Sequence, residues 1–136
     1  MIVIRGDISV DERGSVRFVN SFEFKDVKRF YQVENHEKGF IRAWHGHKIA
    51  ETYIYVVKGS AWVGVINMDN KSSIMQVLTD KLPTVLWVPP GSWNGFKTLE
   101  EGTIIMFFST LSLEEVRGDD YREEYDTFPL FTIKPR

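Results

Sequence analysis

The chain has 136 residues, of which 43% are hydrophobic, 14% aromatic and 26% charged, a composition that predicts one folded domain (1–136) with a proper core. The formal net charge of −2, without a basic stripe, argues against nucleic acid as a partner. The chain contains no cysteine, which excludes disulfides, thiolate metal sites and cysteine nucleophiles. No apolar run is long enough for a signal peptide or a membrane span, so we expect a cytoplasmic protein that does not bind membranes.

Short runs of β-branched and aromatic residues, separated by turn residues, follow one another along the chain. The predicted strands cover, in order, 16–19, 28–33, 40–47, 52–57, 61–66, 73–78, 84–88 and 103–109. One helical turn is expected at Ser112–Val116, where a serine precedes acidic residues. The tail after Asp119 is expected to lie as extended chain along the outside. Strands at a spacing of roughly 8–12 residues indicate an all-β sandwich or barrel.

Two of these predicted segments, 53–57 and 104–108, are apolar on both faces. A strand in a monomeric sandwich is expected to be polar on one face. We therefore expect the second face to be covered, most simply by another copy of the chain, and predict a homodimer.

The most informative local feature is a pair of histidines two residues apart, His45 and His47. Alternate side chains of an extended strand project from the same face, so the two imidazoles are expected to lie side by side. Such a pair can bind a metal, or can move a proton on and off a small substrate.

A metal centre is one interpretation of this pair. His45, His47 and Glu51 make a facial ligand set for a divalent metal such as Zn, Mn, Ni or Fe. Asn94 would then be a weak fourth ligand or would leave a water in that position. Glu51 could instead orient a histidine through its second ring nitrogen.

The spacing around the histidines closely resembles the first signature of the cupin superfamily, with its elements in the order Gly39, His45, His47, Glu51 and Gly59. The second signature, a Pro-x-Gly turn followed by a histidine, is similar to 89–94, where Asn94 takes the place of the histidine. The resemblance implies a single-domain, all-β double-stranded β-helix, the cupin jelly roll. This fold agrees with the pattern of short strands.

Segments 11–14, 27–31, 42–48 and 121–128 are similar to successive motifs of the nucleotide-sugar cupins. This branch includes the dTDP-4-dehydrorhamnose 3,5-epimerases and the WxcM-like dTDP-4-oxo-6-deoxyhexose 3,4-ketoisomerases. The resemblance implies an isomerase or epimerase of deoxysugar and polysaccharide biosynthesis. Its substrate would be a dTDP-4-keto-6-deoxyhexose, and the reaction would need no cofactor.

The resemblance also implies roles for individual residues. A 4-keto group acidifies the protons on the neighbouring carbons, so a base and an acid can move a proton through an enediol. By similarity His45 is the base at C3, His47 shuttles or returns the proton, and Tyr31 orients or protonates the intermediate. The arginines expected to pair with the diphosphate are Arg13 and Arg42. The other residues expected to bind substrate are Lys48, Trp93 and Asn94.

Three positions depart from the family pattern, and one conflicts with strand geometry. Thr52 occupies the place of a lysine in the epimerases and of a glutamine in the ketoisomerases. By simple alternation Arg42 lies on the opposite strand face from His45, so a shared pocket requires a twist or a bulge. Ala43 stands where both groups usually carry glycine. Segment 111–113 has no tyrosine where the epimerases carry their catalytic acid, which argues against a true 3,5-epimerase. A non-catalytic sugar-binding cupin is therefore a third interpretation.

Overall fold

In the computed structural model, which describes residues 2–133 and 135, the chain folds almost entirely into antiparallel strands. Within these residues it forms twelve strands and one short helix. The strands are β1 (Ile2–Arg5), β2 (Asp7–Asp11), β3 (Gly14–Phe18), β4 (Arg29–Glu34), β5 (Ile41–His47), β6 (Thr52–Lys58), β7 (Ser60–Asn67), β8 (Ser73–Thr79), β9 (Thr84–Val88), β10 (Ser92–Thr98), β11 (Ile104–Ser109) and β12 (Tyr121–Arg122), and the helix is α1 (Leu113–Val116). Met1, Lys134 and Arg136 of the predicted domain lie outside the described residues.

Two five-stranded sheets form the body of the fold. Their strand orders are β1-β9-β6-β11-β4 in the first sheet and β12-β5-β10-β7-β8 in the second. From β4 to β7, and again from β8 to β12, each strand lies in the opposite sheet from the strand before it. This alternation is that of the double-stranded β-helix, and it confirms the prediction of an all-β jelly roll.

The main core lies between the two sheets. Because alternate residues of a strand project to one face, the apolar residues at every second position meet there. Its buried members come from β6 to β11 and include Ile54, Val56, Val63, Val65, Leu78, Leu86, Phe96, Ile105 and Phe107. Truncating one of these large side chains to alanine is expected to cost about 2–5 kcal/mol.

The chain after β12 covers the outer face of the second sheet, as expected for the tail. The ring of Trp44 stacks on Phe131 with 5.3 Å between ring centroids, and it meets Phe128 edge-on at 5.8 Å. The indole Nε1 of Trp44 donates a hydrogen bond to the main-chain oxygen of Tyr125 at 3.2 Å. These contacts make a second apolar cluster on the side of the sheet that faces away from the main core.

The outer face of the first sheet carries a group of aromatic side chains, Phe22, Phe24, Phe30, Tyr53 and Phe108, which we call the aromatic face. Phe24 packs edge-on against Phe108 at 5.2 Å, and Phe30 lies 6.4 Å from the same ring. Phe24 and Phe30 are nevertheless 68% and 67% exposed. Two aromatic rings on this side of the first sheet are therefore exposed to solvent, while Phe22, Tyr53 and Phe108 are half-buried.

No helix among the described residues is long and apolar enough to cross a membrane.

Candidate active site

A cavity of about 330 Å³ opens between the two sheets, where β4 faces β5 and β12. This volume lies at the lower end of the range of about 300–1,000 Å³ found for small-molecule sites. The cavity is lined by Arg29, Tyr31, Val33, Arg42, His45, His47, Asn94, Phe96, Phe107, Leu113, Val116, Arg117, Asp120 and Arg122.

The histidine pair lies on β5, and both His45 and His47 line the cavity. Asn94 of the neighbouring β10 is paired with His45 and lines the cavity too. The side-by-side placement predicted from the spacing of the two histidines is therefore found.

A β-bulge in β5 brings Arg42 to the same cavity. Asn94 pairs with His45 and Phe96 with Arg42, so two residues of β10 span the same distance as three residues of β5. The extra residue shifts the alternation of side chains by one. Arg42 and His45 therefore share one face, although they are three residues apart.

The hydrogen bonding of His47 fixes which of its ring nitrogens carries the proton. Nδ1 of His47 lies 2.6 Å from the main-chain oxygen of Asp119. A carbonyl oxygen can only accept, so Nδ1 of the neutral ring carries the hydrogen and Nε2 carries the free lone pair. Nε2 is thus the atom of His47 that can accept a proton.

The pKa of His45 is lowered, mainly because burial disfavours the charged imidazolium. The positive charge of Arg122 lowers this pKa further, and the carboxylate of Asp120 opposes the shift. His45 is therefore neutral at neutral pH, which is the form that a general base requires.

Tyr31 stands on the opposite wall, between two other side chains that line the cavity. Its ring is stacked on Phe107 with 5.0 Å between centroids and 6° between planes, and the guanidinium carbon of Arg29 lies 4.9 Å from its centre. Burial raises the pKa of Tyr31, and the positive charge of Arg29 acts in the opposite direction. The hydroxyl therefore stays protonated and can serve as a hydrogen-bond or proton donor.

The lining of the cavity carries an excess of positive charge, with four arginines, Arg29, Arg42, Arg117 and Arg122, and one carboxylate, Asp120. Arg42 donates from Nε to the side-chain oxygen of Asn35 at 2.7 Å, and Arg122 donates from Nε to Asp120 at 3.3 Å. Nε of Arg29 is buried and has no hydrogen-bond partner among the described residues. A buried donor without a partner is costly, which favours a ligand that supplies the acceptor.

Three of these arginines, Arg29, Arg117 and Arg122, were not predicted from the sequence. In the sequence Arg29 directly follows another basic residue, Lys28. In the structure the two separate, because neighbouring residues of a strand point to opposite faces. Lys28 pairs outside with Glu115 of α1 at 2.9 Å, while Arg29 faces the cavity like Tyr31 two residues later. Because Arg29 lies two residues before Tyr31 on the same strand, it could have been predicted to face the same cavity as Tyr31.

The helical turn predicted at Ser112–Val116 is present and forms part of the cavity wall. Ser112 and Glu115 make a reciprocal capping box at the start of α1. Hydrogen bonds from Lys28 and from Ser112 lower the pKa of Glu115 to about 2. The amides of Ser112 and Glu115 at the start of α1 are therefore satisfied, and an ion pair ties the helix to Lys28, which directly precedes β4.

Three residues predicted to bind substrate are not among those that line the cavity. Trp93 follows Ser92 and precedes Asn94 on β10, so its ring points to the other face and packs on Phe128 at 5.4 Å. The prediction for Trp93 is corrected on this ground. Lys48 lies over the ring of Tyr121 at 4.6 Å from its centre, and a contact of Lys48 with substrate stays a prediction.

Arg13 lies in the turn of the β2–β3 hairpin and pairs with Asp11 of the same hairpin. The side chain is 84% exposed and lines a separate shallow surface pocket. Arg13 does not line the cavity that contains His45 and His47. Its contact with the diphosphate stays a prediction.

The ligand set predicted for a metal is not brought together. Glu51 lies on the outer side of the first sheet, where its carboxylate accepts a hydrogen bond from the indole of Trp87 at 2.9 Å. Glu51 does not line the cavity of His45 and His47. Among residues 2–133 and 135 no group of three or more His, Cys, Asp or Glu side chains is placed to hold a metal ion.

Gly46, between the two histidines, leaves room for a tryptophan on the opposite face of β5. A Cβ atom at this position would overlap Cδ1 of Trp93 and the end of the Met68 side chain. The glycine therefore allows Trp93 and β5 to pack closely while both imidazoles remain on the cavity side.

Solved structures with the same fold include one sugar ketoisomerase and two epimerases. The sugar 3,4-ketoisomerase QdtA from Thermoanaerobacterium thermosaccharolyticum matches with a TM-score of 0.73 and 19% identity, over 93% of this chain and 89% of that chain. The dTDP-4-dehydrorhamnose 3,5-epimerase from Bacillus anthracis matches with a TM-score of 0.78 and 19% identity, over 98% and 83%. The rmlC epimerase from Mycobacterium tuberculosis matches with a TM-score of 0.74 and 18% identity, over 88% of this chain and 66% of that one.

At these identities the likeness establishes the fold. A comparison with curated protein sequences gave no match. The family model described as "FdtA: WxcM-like, C-terminal" matches residues 3–132, which is nearly the whole chain. The chain therefore belongs to the FdtA, WxcM-like C-terminal family.

Proposed function

We propose that the protein is a nucleotide-sugar isomerase of deoxysugar and polysaccharide biosynthesis, which moves a proton between neighbouring carbons of a dTDP-4-keto-6-deoxyhexose. The observation that carries the proposal is the convergence of two imidazoles, one protonated tyrosine and four arginines on one cavity. Membership of the WxcM-like family supports it.

In the proposed reaction His45 removes the proton from C3 of the sugar. The electron pair of the broken C–H bond forms the C3–C4 double bond, and the former 4-keto oxygen takes a proton with Tyr31 as donor. The resulting enediol then takes up at C4 the proton held by His45, and its C3 hydroxyl loses a proton to Nε2 of His47. Transfer of this last proton to Tyr31 restores all three side chains to their starting forms. The product is the 3-keto sugar, an isomer of the substrate, so no oxidant, reductant or redox cofactor is required.

The four arginines provide the binding site for the diphosphate. A guanidinium presents two parallel N–H donors that match pairs of phosphate oxygens. The unpartnered Nε of Arg29 and the excess of positive charge over Asp120 support this assignment. The structures of QdtA and of the Bacillus anthracis epimerase hold TDP, the latter together with PPi.

The identity of residue 113, in the part of the cavity wall formed by α1, favours a 3,4-ketoisomerase over a 3,5-epimerase. Leu113 lies in the segment where the resemblance to the epimerases implies a tyrosine acid, and it lines the cavity. A leucine cannot donate a proton. The described cavity therefore has Tyr31 as its tyrosine, and it lacks the second donor that epimerisation at C5 would use.

The proposal is tested by incubating the protein in D₂O with dTDP-4-keto-6-deoxyglucose and following the sugar by NMR. We expect incorporation of deuterium and formation of a 3-keto product. His45→Ala should lower the rate by about 10²–10⁴-fold, because a positioned general base is lost. His36→Ala is the matched control, since His36 lies in a loop outside the cavity, and it should leave the rate unchanged.

Three outcomes distinguish the alternatives. A C3 epimer instead of a 3-keto product would show an epimerase. Saturable binding of several dTDP-sugars without any deuterium exchange would show a sugar-binding protein and would overturn the isomerase. Stoichiometric metal that is lost in His45→Ala would show a metal-dependent protein.

We propose further that the protein acts in the cytoplasm as a homodimer, formed by the aromatic face. Two of the aromatic residues on this face, Phe24 and Phe30, are largely exposed, and their contacts within the chain leave the surface open. Exposed apolar patches of this kind are typical of protein–protein interfaces.

A further inference from the structure

Asp119 is buried among main-chain groups beside the histidine pair, with only 1% of its surface exposed. Its carboxylate accepts hydrogen bonds from the amide groups that directly follow β5. The donors are Lys48 at 2.7 Å, Ile49 at 3.0 Å and Ala50 at 2.9 Å. Both carboxylate oxygens are therefore occupied by donors of one short segment.

The same residue also contacts the ring of His47, through its main-chain oxygen rather than its side chain. The two sets of bonds act together. The carboxylate fixes the position of Asp119 relative to residues 48–50, and this position places the carbonyl 2.6 Å from Nδ1 of His47. The amide of Asp119 also donates to the main-chain oxygen of Val116 at 2.9 Å, but it is the carboxylate that ties Asp119 to the segment directly after His47.

We propose that Asp119 is a positioning residue for catalysis: it holds His47 as the Nδ1–H tautomer and keeps Nε2 turned to the substrate. Only the effect of Asp119 on the reaction rate rests on the proposed function. The tautomer and the orientation of the ring are properties of the protein without substrate.

The carboxylate is required because it meets donors only. An asparagine at this position has one oxygen and one NH₂ group, and the NH₂ would face a main-chain N–H. The segment 48–50 or the chain around residue 119 would have to shift. A displacement of about 1 Å at a catalytic group can lower a rate on the order of 100-fold.

The first test uses the unmodified protein without substrate. Long-range ¹H–¹⁵N correlation NMR, at a pH above the titration of the histidines, reports which nitrogen of each ring carries the proton. We expect His47 as the Nδ1–H tautomer, with the signal assigned by its loss in His47→Gln. An Nε2–H tautomer for His47 would overturn the inference, whatever the activity of the protein.

The second test compares Asp119→Asn with Asp80→Asn. Asp80 is a matched control, because its carboxylate also accepts a main-chain amide, that of Gly59 at 2.9 Å, and it does not line the cavity. In Asp119→Asn we expect a mixture of His47 tautomers and about a 100-fold lower turnover with KM little changed. In Asp80→Asn we expect the tautomer and the turnover of the unmodified protein.

A folded Asp119→Asn variant with an unchanged His47 tautomer and unchanged turnover would overturn the inference. Circular dichroism and thermal melting establish whether the variant is folded, and if it is not, the tautomer in the unmodified protein decides. If no nucleotide sugar exchanges deuterium, the proposed function fails, while the NMR comparison still decides the role of Asp119.

Discussion

Arg122 and Asp120 place charges of opposite sign near His45, and their effects on this histidine are unequal. Burial is the main cause of its lowered pKa, Arg122 adds to the shift, and Asp120 only partly offsets it. A general base must be deprotonated to work, so a lowered pKa extends the active form of His45 to more acidic pH. The same guanidinium also belongs to the group of arginines proposed to bind the diphosphate.

We expect Arg122→Gln to raise the pKa of His45. The acidic limb of the deuterium-exchange rate, measured at saturating substrate, should then move to higher pH, because protonated His45 persists to higher pH. NMR titration of His45 measures the pKa directly. Arg17→Gln is the control, since Arg17 bonds to the main chain of Asp80 on the β2–β3 hairpin side and should leave the limb in place. An unchanged or more acidic limb in Arg122→Gln would contradict the electrostatic account.

Gly46 gives a second prediction at the scale of a single residue. Gly46→Ala should destabilise the protein by about 1–3 kcal/mol, because the added methyl group overlaps Trp93 and Met68 in a packed region. Chemical denaturation measures the change. Gly118→Ala is a suitable control, since a Cβ there meets only the Glu115 carbonyl oxygen at an ordinary 3.8 Å. If both substitutions cost equally little, the packing argument is wrong.

Among the secondary-structure elements, the tail after β12 is the one whose contribution to stability is most easily tested. Phe131 is buried against Trp44 and Trp62, whereas Ile133, two residues later, is exposed. Phe131→Ala should lower the free energy of unfolding by about 3–5 kcal/mol, as for other buried phenylalanines. Ile133→Ala should change it little. Equal effects of the two variants in urea denaturation would show that the tail does not pack as described.

Eight of the twelve strands, β3 to β9 and β11, were predicted from the sequence, whereas β1, β2, β10 and β12 were not. Strands β4 to β9 and β11 show runs of β-branched and aromatic residues, and their bounds lie close to the predicted ones. β10 has the sequence Ser-Trp-Asn-Gly-Phe-Lys-Thr, in which small and polar residues conceal a central strand. Gly95 is needed there because a side chain would overlap Ala43 and Trp44 of β5. β12 is two residues long and exists only through its pairing with β5.

The same limit applies to the site. The histidine pair, Tyr31 and Asn94 follow from local spacing and family resemblance, and the structure places all of them at one cavity. Arg117 and Arg122 reach that cavity because the chain after β11 returns to pair with β5, a tertiary contact that no local pattern encodes. The buried position of Asp119 depends on the same return.

At the scale of the whole molecule, the proposed homodimer makes a direct prediction. Phe24→Asp combined with Phe30→Asp should convert the protein to a monomer, because two charges would be buried at the interface. Size-exclusion chromatography with light scattering measures the mass. Ile74→Asp on β8 is the control, since this residue is also exposed and apolar but belongs to the second sheet. A dimer that survives the double substitution would place the interface elsewhere.

The extra residue of β5 sets a rule for the length of this segment. If the strand kept all its residues but lost the bulge, the guanidinium of Arg42 would turn away from the cavity, because residues three apart on a regular strand lie on opposite faces. A deletion of one residue between positions 42 and 45 would instead leave Arg42 and His45 two residues apart, on the same face of a regular strand. A homologue with a one-residue gap at this point could therefore keep an arginine in the cavity without a bulge, whereas grafting residues 42–47 onto another jelly roll would require transfer of the bulge together with the side chains.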